Sequence, residues 1–132
     1  GLMQLMPQTA RETAHRIRRP GLSLNVPAHN VLLGSAHFSH LLRHFGSSIP
    51  YAVCAYNAGA KNARRWNASV PRDWVEWLET IPFAETRCYL RSVLANIEIY
   101  SASNGGRSPS PFFAKDARPP LPASFASGIK RR

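Results

Sequence analysis

Residues 38–46 read Phe-Ser-His-Leu-Leu-Arg-His-Phe-Gly, and this stretch decides the fold class. Its large apolar side chains recur at positions i, i+3, i+4 and i+7, the spacing of one helical face. They are Phe38, Leu41, Leu42 and Phe45. Gly46 is placed to end the helix, because glycine readily adopts the left-handed conformation common at helix ends. Upstream, Asn25 is predicted to cap the helix N-terminus with its side-chain oxygen. We therefore expect a long helix with its apolar stripe facing the core.

Similar patterns on both sides of this stretch predict five further helices. They run from Pro7 to about Ile17, from Pro50 to near Gly59, through Trp66, from Trp74 to Glu79, and from just after Pro82 onward. The last helix has an apolar face opposite Arg87, Arg91 and Glu98. That face comprises Leu90, Val93, Leu94, Ile97 and Tyr100. Strand-like runs do not exceed three or four residues, so the expected fold class is all-α.

Composition divides the chain into one domain and a tail. We expect a single domain over residues 1–102, because 132 residues with 44% hydrophobic content suffice for one core. Residues 103–132 contain five of the eleven prolines and end in Lys-Arg-Arg, and this basic Pro/Ser-rich tail is expected to be disordered. Apolar runs fall short of the roughly 20 residues that span a bilayer.

The net charge of +10 favours polyanionic partners but does not choose among them. Nucleic acid, anionic membrane surfaces and the carboxylate-bearing cell wall all fit. A helix-turn-helix or RNA-binding motif is not recognisable in the sequence, so we expect no nucleic-acid partner. Charge by itself does not identify the function.

Three segments place hydrogen-bonding residues at predicted helix ends. They read Gly-Leu-Met-Gln-Leu-Met-Pro at residues 1–7, Ala-Tyr-Asn-Ala-Gly at residues 55–59, and Ile-Pro-Phe-Ala-Glu-Thr-Arg-Cys-Tyr at residues 81–89. In this order and with these intervals, the chain resembles the soluble lytic murein transglycosylases, whose SLT domain has a helical fold similar to that of goose-type lysozyme. The resemblance covers about residues 1–102 and not the tail.

The resemblance implies cleavage of the β-1,4 bond between N-acetylmuramic acid and N-acetylglucosamine in peptidoglycan. In such enzymes the 6-hydroxyl of muramic acid attacks, which leaves a 1,6-anhydro ring, and one glutamic acid acts first as the acid and then as the base. In the family this glutamate lies shortly before the Gly-Leu-Met-Gln segment. We therefore expect it upstream of Gly1, and the sequence is interpreted as truncated before its catalytic acid. This chain by itself is then expected to be inactive.

The resemblance also assigns supporting residues by position. Gln4, Asn57 and Glu85 are expected to contact the glycan, Met3 and Met6 to form an apolar wall, and Tyr56 to lie beside the catalytic carboxyl group and to contact substrate. Without the resemblance, Gln4 would be a surface residue, Tyr56 and Asn57 a helix C-terminus, and Glu85 a complement to the helix dipole. Arg87 could either pair with Glu85 or face solvent.

Other reactive side chains have ordinary structural interpretations. Glu12, Glu76 and Glu79 are interpreted as solvated surface carboxylates. Trp74 and Trp77 are expected in the core, and Trp66 is the best candidate of the three tryptophans for stacking on a sugar ring.

The cysteines and histidines do not indicate a metal site. Cys54 and Cys88 are interpreted as buried free thiols. His37 and His44 lie seven residues apart on one predicted helix, about 10 Å, which is too far to bind one ion together. We expect neither a metal nor a cofactor.

Several functions remain open at this point. A module that lost the acid would hold peptidoglycan without cutting it, and a related enzyme could hydrolyse peptidoglycan or chitin with water. The resemblance implies a monomer in the periplasm or cell envelope that contacts peptidoglycan strands.

Overall fold

The computed structural model describes residues 1–66 and 74–104. These residues form six helices: α1 Pro7–Arg16, α2 Pro27–His44, α3 Ile49–Ala58, α4 Ala60–Trp66, α5 Trp74–Thr80 and α6 Ala84–Ser103. Strands do not occur within these two ranges, so the all-α prediction is confirmed. The proposed tail lies almost wholly outside the described residues.

Proline begins the first three helices. It occupies one of the first two helical positions in α1, α2 and α3, where a missing N–H removes no helical hydrogen bond. The predicted cap at Asn25 is wrong, because the N-cap of α2 is Val26 and makes no side-chain cap hydrogen bond. The fixed φ of Pro27 starts the helix one residue later than the asparagine would require.

Gly46 ends α2 as predicted. Its φ is +61°, and the amide of Ser47 donates to the carbonyl oxygen of Leu42 at 2.7 Å. This hydrogen bond is the 6→1 bond of a Schellman motif. The chain thus turns sharply into α3 without leaving the Leu42 carbonyl unsatisfied.

Helix α3 forms the centre of the main core. Every residue from Pro50 to Ala55 is buried, and α2, α5 and α6 pack around it. The stripe predicted on α2 is confirmed, since Leu41 and Phe45 are buried and Phe38 and Leu42 pack against the same cluster. A second, smaller cluster between α1 and α2 contains Ala10, Ala14 and Leu33.

Two predictions on α6 are wrong for geometric reasons. Tyr100 is 67% exposed, because the last turns of α6 extend beyond the core that buries Leu90 and Leu94. Cys88 is exposed and free, whereas Cys54 is buried and free as expected. Cys88 lies two residues before Leu90, about 200° around the helix, and therefore faces away from the core.

Within residues 1–66 and 74–104, no helix is both long enough and apolar enough to cross a membrane.

Candidate functional site

The segment before α1 is held in a tight turn. The backbone amide of Gln4 donates to the carbonyl oxygen of Gly1 at 3.2 Å, and the Gln4 side-chain amide donates to the same oxygen at 2.7 Å. Gln4 has a φ of +50°, an uncommon value for a residue with a side chain. The double hydrogen bond keeps residues 1–4 compact.

Asn30 anchors this turn to α2. Its side-chain oxygen accepts from the amide of Met3 at 2.9 Å, and its side-chain nitrogen donates to the carbonyl oxygen of Leu24 at 2.9 Å. Asn30 is only 4% exposed. The side chain of Met3 also lies against Gly34, where an added Cβ would stand 2.6 Å from Met3. The absence of a side chain at Gly34 therefore lets Met3 approach the helix.

Tyr56, near the end of α3, fixes the other side of Met3. Its hydroxyl donates to the carbonyl oxygen of Met3 at 2.7 Å, and its ring packs 5.4 Å from that of His37 and 6.2 Å from that of Phe38, centroid to centroid. Burial, with a smaller contribution from Tyr89, raises the pKa of Tyr56 to about 12. The hydroxyl consequently stays protonated near neutral pH and acts as a hydrogen-bond donor rather than a base.

These contacts line one side of a cavity of about 490 Å³ between the N-terminal turn, α2, α3 and α6. Met3, Gln4 and Tyr56 all line it. The remaining lining residues are largely apolar: Leu2, Ser35, Phe38, Ser39, Leu42, Val53, Tyr89, Val93 and Ile97. The cavity therefore combines a polar end with apolar walls.

Asn57 follows Tyr56 on α3 and joins α3 to α6. Its side-chain oxygen accepts a hydrogen bond of 2.8 Å from the hydroxyl of Thr86, which is 2% exposed. Glu85 precedes Thr86 and is exposed in the first turn of α6.

Arg87 neither pairs with Glu85 nor simply faces solvent, since its guanidinium donates to the carbonyl oxygen of Ile81 at 2.5 Å. This hydrogen bond fixes the entry of α6.

The family profile described as "Transglycosylase SLT domain" matches residues 1–73. This match covers more than half of the chain. The chain belongs to the transglycosylase SLT domain family. The resemblance predicted from the three sequence segments is therefore confirmed.

Similar proteins agree with this assignment. The soluble lytic murein transglycosylase of Escherichia coli (strain K12) is 39% identical over 101 residues, covering 72% of this SLT chain and 16% of that protein. The corresponding protein of Salmonella typhimurium (strain LT2) is 39% identical over 102 residues, with the same coverage. The SLT chain thus spans about a sixth of the length of these relatives.

A solved structure matches the SLT fold. The X-ray structure of an inactive glutamate-to-glutamine mutant of the lytic transglycosylase Slt from Pseudomonas aeruginosa superposes with a TM-score of 0.78 at 38% identity. The match covers 89% of this chain and 20% of that one. The lysozyme-like helical fold predicted from the sequence is therefore confirmed.

The SLT domain does not bring every predicted site residue into the cavity. Met3, Gln4 and Tyr56 share it, whereas Met6, Asn57 and Glu85 are not among its lining residues. Met6 is 70% exposed at the start of α1. Its side chain points away because Met6 is the N-cap, two residues beyond the turn that directs Met3 and Gln4 toward α2.

Two residues that line or support the site escaped sequence reasoning. Asn30 shares a helical face with Leu33 and Gly34, and a polar residue at such a buried position signals a structural hydrogen bond. Tyr89 ends the third of the three sequence segments, residues 81–89, and lines the cavity, yet its spacing from Glu85 suggested no role. Its pKa is raised by burial.

The remaining candidates occupy ordinary positions. Glu12, Glu76 and Glu79 are exposed, as predicted, and Glu79 pairs with Arg91 on the surface. Trp74 and Trp77 are buried in the core, also as predicted.

Trp66 is half-buried and packs edge-on against Phe83 with ring centroids 5.0 Å apart. Its carbonyl oxygen accepts a hydrogen bond from the indole nitrogen of Trp77 at 3.2 Å. Trp66 is therefore held by Phe83 and Trp77, and part of its side chain stays accessible to solvent.

Proposed function

We propose that this SLT domain is part of a peptidoglycan lytic transglycosylase. The reaction cleaves the β-1,4 bond between N-acetylmuramic acid and N-acetylglucosamine and forms 1,6-anhydromuramic acid. The observation that carries the proposal is the shared cavity, where the Tyr56 hydroxyl holds the Met3 carbonyl beside Gln4. Membership of the family and the names of its relatives support the same reaction class.

The proposed chemistry needs one carboxyl group in apolar surroundings. A protonated glutamic acid donates its proton to the glycosidic oxygen as the bond to the anomeric carbon breaks. The 6-hydroxyl oxygen of muramic acid then bonds to that carbon, and its proton returns to the carboxylate. Apolar walls favour the protonated acid before the reaction, because they penalise the charged form. The largely apolar lining of this cavity supports the proposal.

The acid itself is proposed to come from sequence preceding Gly1. None of the described glutamates lines the cavity, and Glu12, Glu76, Glu79 and Glu85 are exposed. Because Tyr56 donates its one proton to the Met3 carbonyl, its phenolic oxygen would accept a hydrogen bond from the protonated acid. Gln4, Asn57 and Glu85 would bind the sugar chain around the reacting groups. Met3 would form the apolar wall, with Met6 at its outer edge.

The substrate and its location follow from the proposed reaction. Peptidoglycan strands are the expected partner, and the protein would act as a monomer in the periplasm or cell envelope.

The decisive experiment compares the 132-residue chain with a longer chain that restores the preceding segment. Each is incubated with purified sacculi, and the masses of the released products are measured by mass spectrometry. We expect 1,6-anhydromuropeptides only from the longer chain, and replacement of its upstream glutamate by glutamine should abolish them. Release by the 132-residue chain would show that the acid lies within it. Products one water heavier would instead identify a hydrolase.

A non-catalytic peptidoglycan-binding module is the second candidate. It is favoured by the absence of a glutamate from the lining of the cavity among the described residues. Binding of both chains to sacculi without release of any fragment would support this function and overturn the first.

A further inference from the structure

A row of positive and titratable side chains crosses three helices beside the candidate site. It comprises His37, His40, Arg43 and His44 on α2, Arg16 on α1 and Arg64 on α4, and is called here the histidine–arginine face. The rings of His40 and His44 stack with centroids 6.3 Å apart. Arg16, Arg43, His44 and Arg64 are exposed, and His37 and His40 are half-buried.

The face reaches the proposed glycan site through one contact, because His37 packs against Tyr56 and none of the six residues of the face lines the cavity. The His37 ring lies 5.4 Å from the ring of Tyr56, the residue whose hydroxyl holds the Met3 carbonyl at the cavity. From His37 the face continues along α2 to His44, a rise of about 10 Å. A strand bound at Tyr56 would therefore meet the face at His37.

Carboxylates are scarce on the helices that build this face. Helices α2 and α4 contain neither Asp nor Glu, and α1 contains only Glu12.

The pKa values of the three histidines on the face are lowered, so protonation of their imidazoles is disfavoured. Burial, followed by the charges of Arg16 and His40, lowers the pKa of His37, and Glu12 opposes this shift. Burial, followed by Arg16, His44 and Arg43, lowers the pKa of His40, and burial followed by Arg64 lowers that of His44.

An anionic partner would remove this repulsion. Each carboxylate placed among these positive side chains is attracted to the arginines and favours the protonated imidazoles. Each exposed ion pair of this kind is weak, so several together are needed for measurable binding. A polymer bearing regularly spaced carboxylates would supply them.

We propose that the histidine–arginine face binds the carboxylates of the peptides attached to the peptidoglycan strand that occupies the neighbouring cavity. The inference rests on the proposed function and names the part of the substrate that the face would hold. The face would align the strand by its side groups, whereas Tyr56 and Gln4 would hold its sugar rings.

The test uses the 132-residue chain and two forms of purified peptidoglycan, one with its peptides and one from which an amidase has removed them. Co-sedimentation at low salt gives the affinities. The variant Arg16→Gln/Arg64→Gln removes two charges from the face. Its control, Arg11→Gln/Arg65→Gln, removes two exposed charges from the same helices outside the face. Circular dichroism checks that both variants are folded.

We expect the face variant to weaken binding to peptide-bearing strands roughly three- to tenfold and to leave binding to stripped strands unchanged. The control should stay within about twofold on both. Wild-type affinity for peptide-bearing strands should rise as the pH falls from 7.5 to 5.5, because binding then takes up protons, and His40→Gln/His44→Gln should flatten that rise.

Equal losses of affinity in both arginine variants would show that binding depends on net charge and not on this face, and would overturn the proposal. So would an equal loss on stripped strands, which would make the sugar the ligand. Binding to phosphatidylglycerol vesicles that depends on Arg16 and Arg64, without such dependence on peptidoglycan, would identify a membrane surface instead. If the wild type binds neither form of peptidoglycan, the proposed function fails as well. If it binds both forms with the arginines irrelevant, only this inference fails.

Discussion

Tyr56 connects two parts of the chain that lie 53 residues apart. Its hydroxyl is the link between α3 and the N-terminal turn, and burial raises the pKa of that hydroxyl to about 12. The same group positions Met3 through its one O–H and leaves the lone pairs of its oxygen to accept a hydrogen bond at the cavity. A single atom, the phenolic oxygen, carries both roles.

Replacing this oxygen tests its role at the site. In the longer chain that carries the restored segment, Tyr56→Phe should lower the turnover of sacculi roughly tenfold, equivalent to about 1.4 kcal/mol in the barrier. The lost hydrogen bond should reduce the free energy of unfolding by only about 1 kcal/mol. Release of muropeptides and urea unfolding measure the two effects. Tyr100→Phe, at an exposed position, is the control. If Tyr56→Phe has the same turnover as the wild type, Tyr56 does not belong to the site.

The buried side-chain amide of Asn30 holds the N-terminal turn against α2. Asn30→Ala breaks its hydrogen bonds to Met3 and Leu24, so the free energy of unfolding should fall by about 2–4 kcal/mol. Urea titration followed by circular dichroism measures the loss. Asn96→Ala, on the exposed side of α6, should change stability by less than about 0.5 kcal/mol. Equal effects of the two substitutions would mean that the N-terminal turn is not anchored through Asn30.

At the scale of elements, the helix ends decide where the site residues stand. Gly59 ends α3 with φ +85° and ψ 148°, a conformation that side chains strongly disfavour. This turn sends α4 away immediately after Asn57, so that Asn57 can accept from Thr86 of α6. The geometry of one glycine thus sets the junction of three helices.

A pair of glycine substitutions isolates this backbone effect. Gly59→Ala should lower the free energy of unfolding by about 1–3 kcal/mol. Gly21→Ala should be neutral or stabilise by up to about 1 kcal/mol. A Cβ at either position meets open space, so crowding does not distinguish them. Thermal unfolding provides the comparison, and a neutral Gly59→Ala would show that another conformation serves the turn equally well.

Helix periodicity predicted most of the helices, but it did not predict the burial of every residue on them. Apolar spacing identified α2 and its buried stripe, since a stripe must face a core wherever the helix packs. It failed at Tyr100 and Cys88 because periodicity assigns a face and not the length over which neighbouring helices cover that face. It also failed at Asn25, where the adjacent Pro27 set the first helical residue.

At the scale of the whole molecule, the histidine–arginine face should make stability depend on pH. The pKa values of His37, His40 and His44 are lowered on folding, so the unfolded chain binds protons more strongly. Their contribution to stability is present above the ordinary value of 6.5 and is lost as the pH falls below it. The midpoint of urea unfolding should therefore decrease between pH 7.5 and pH 5.

The triple variant His37→Gln/His40→Gln/His44→Gln should show a smaller decrease over the same range. His29→Gln, at a histidine outside the face, serves as the control. An unchanged pH dependence in the triple variant would assign the acid sensitivity to other groups.

The sequence by itself determined the helical class, the family and three of the residues that line the candidate cavity, namely Met3, Gln4 and Tyr56. Local periodicity and three short segments carry that information, because each depends on neighbours within a turn or two of the chain. Only the tertiary structure decided that Tyr56 holds Met3, that Met6 points outward and that Asn57 binds Thr86. Those contacts join residues up to 53 positions apart, and their formation depends on how helices pack rather than on any local pattern.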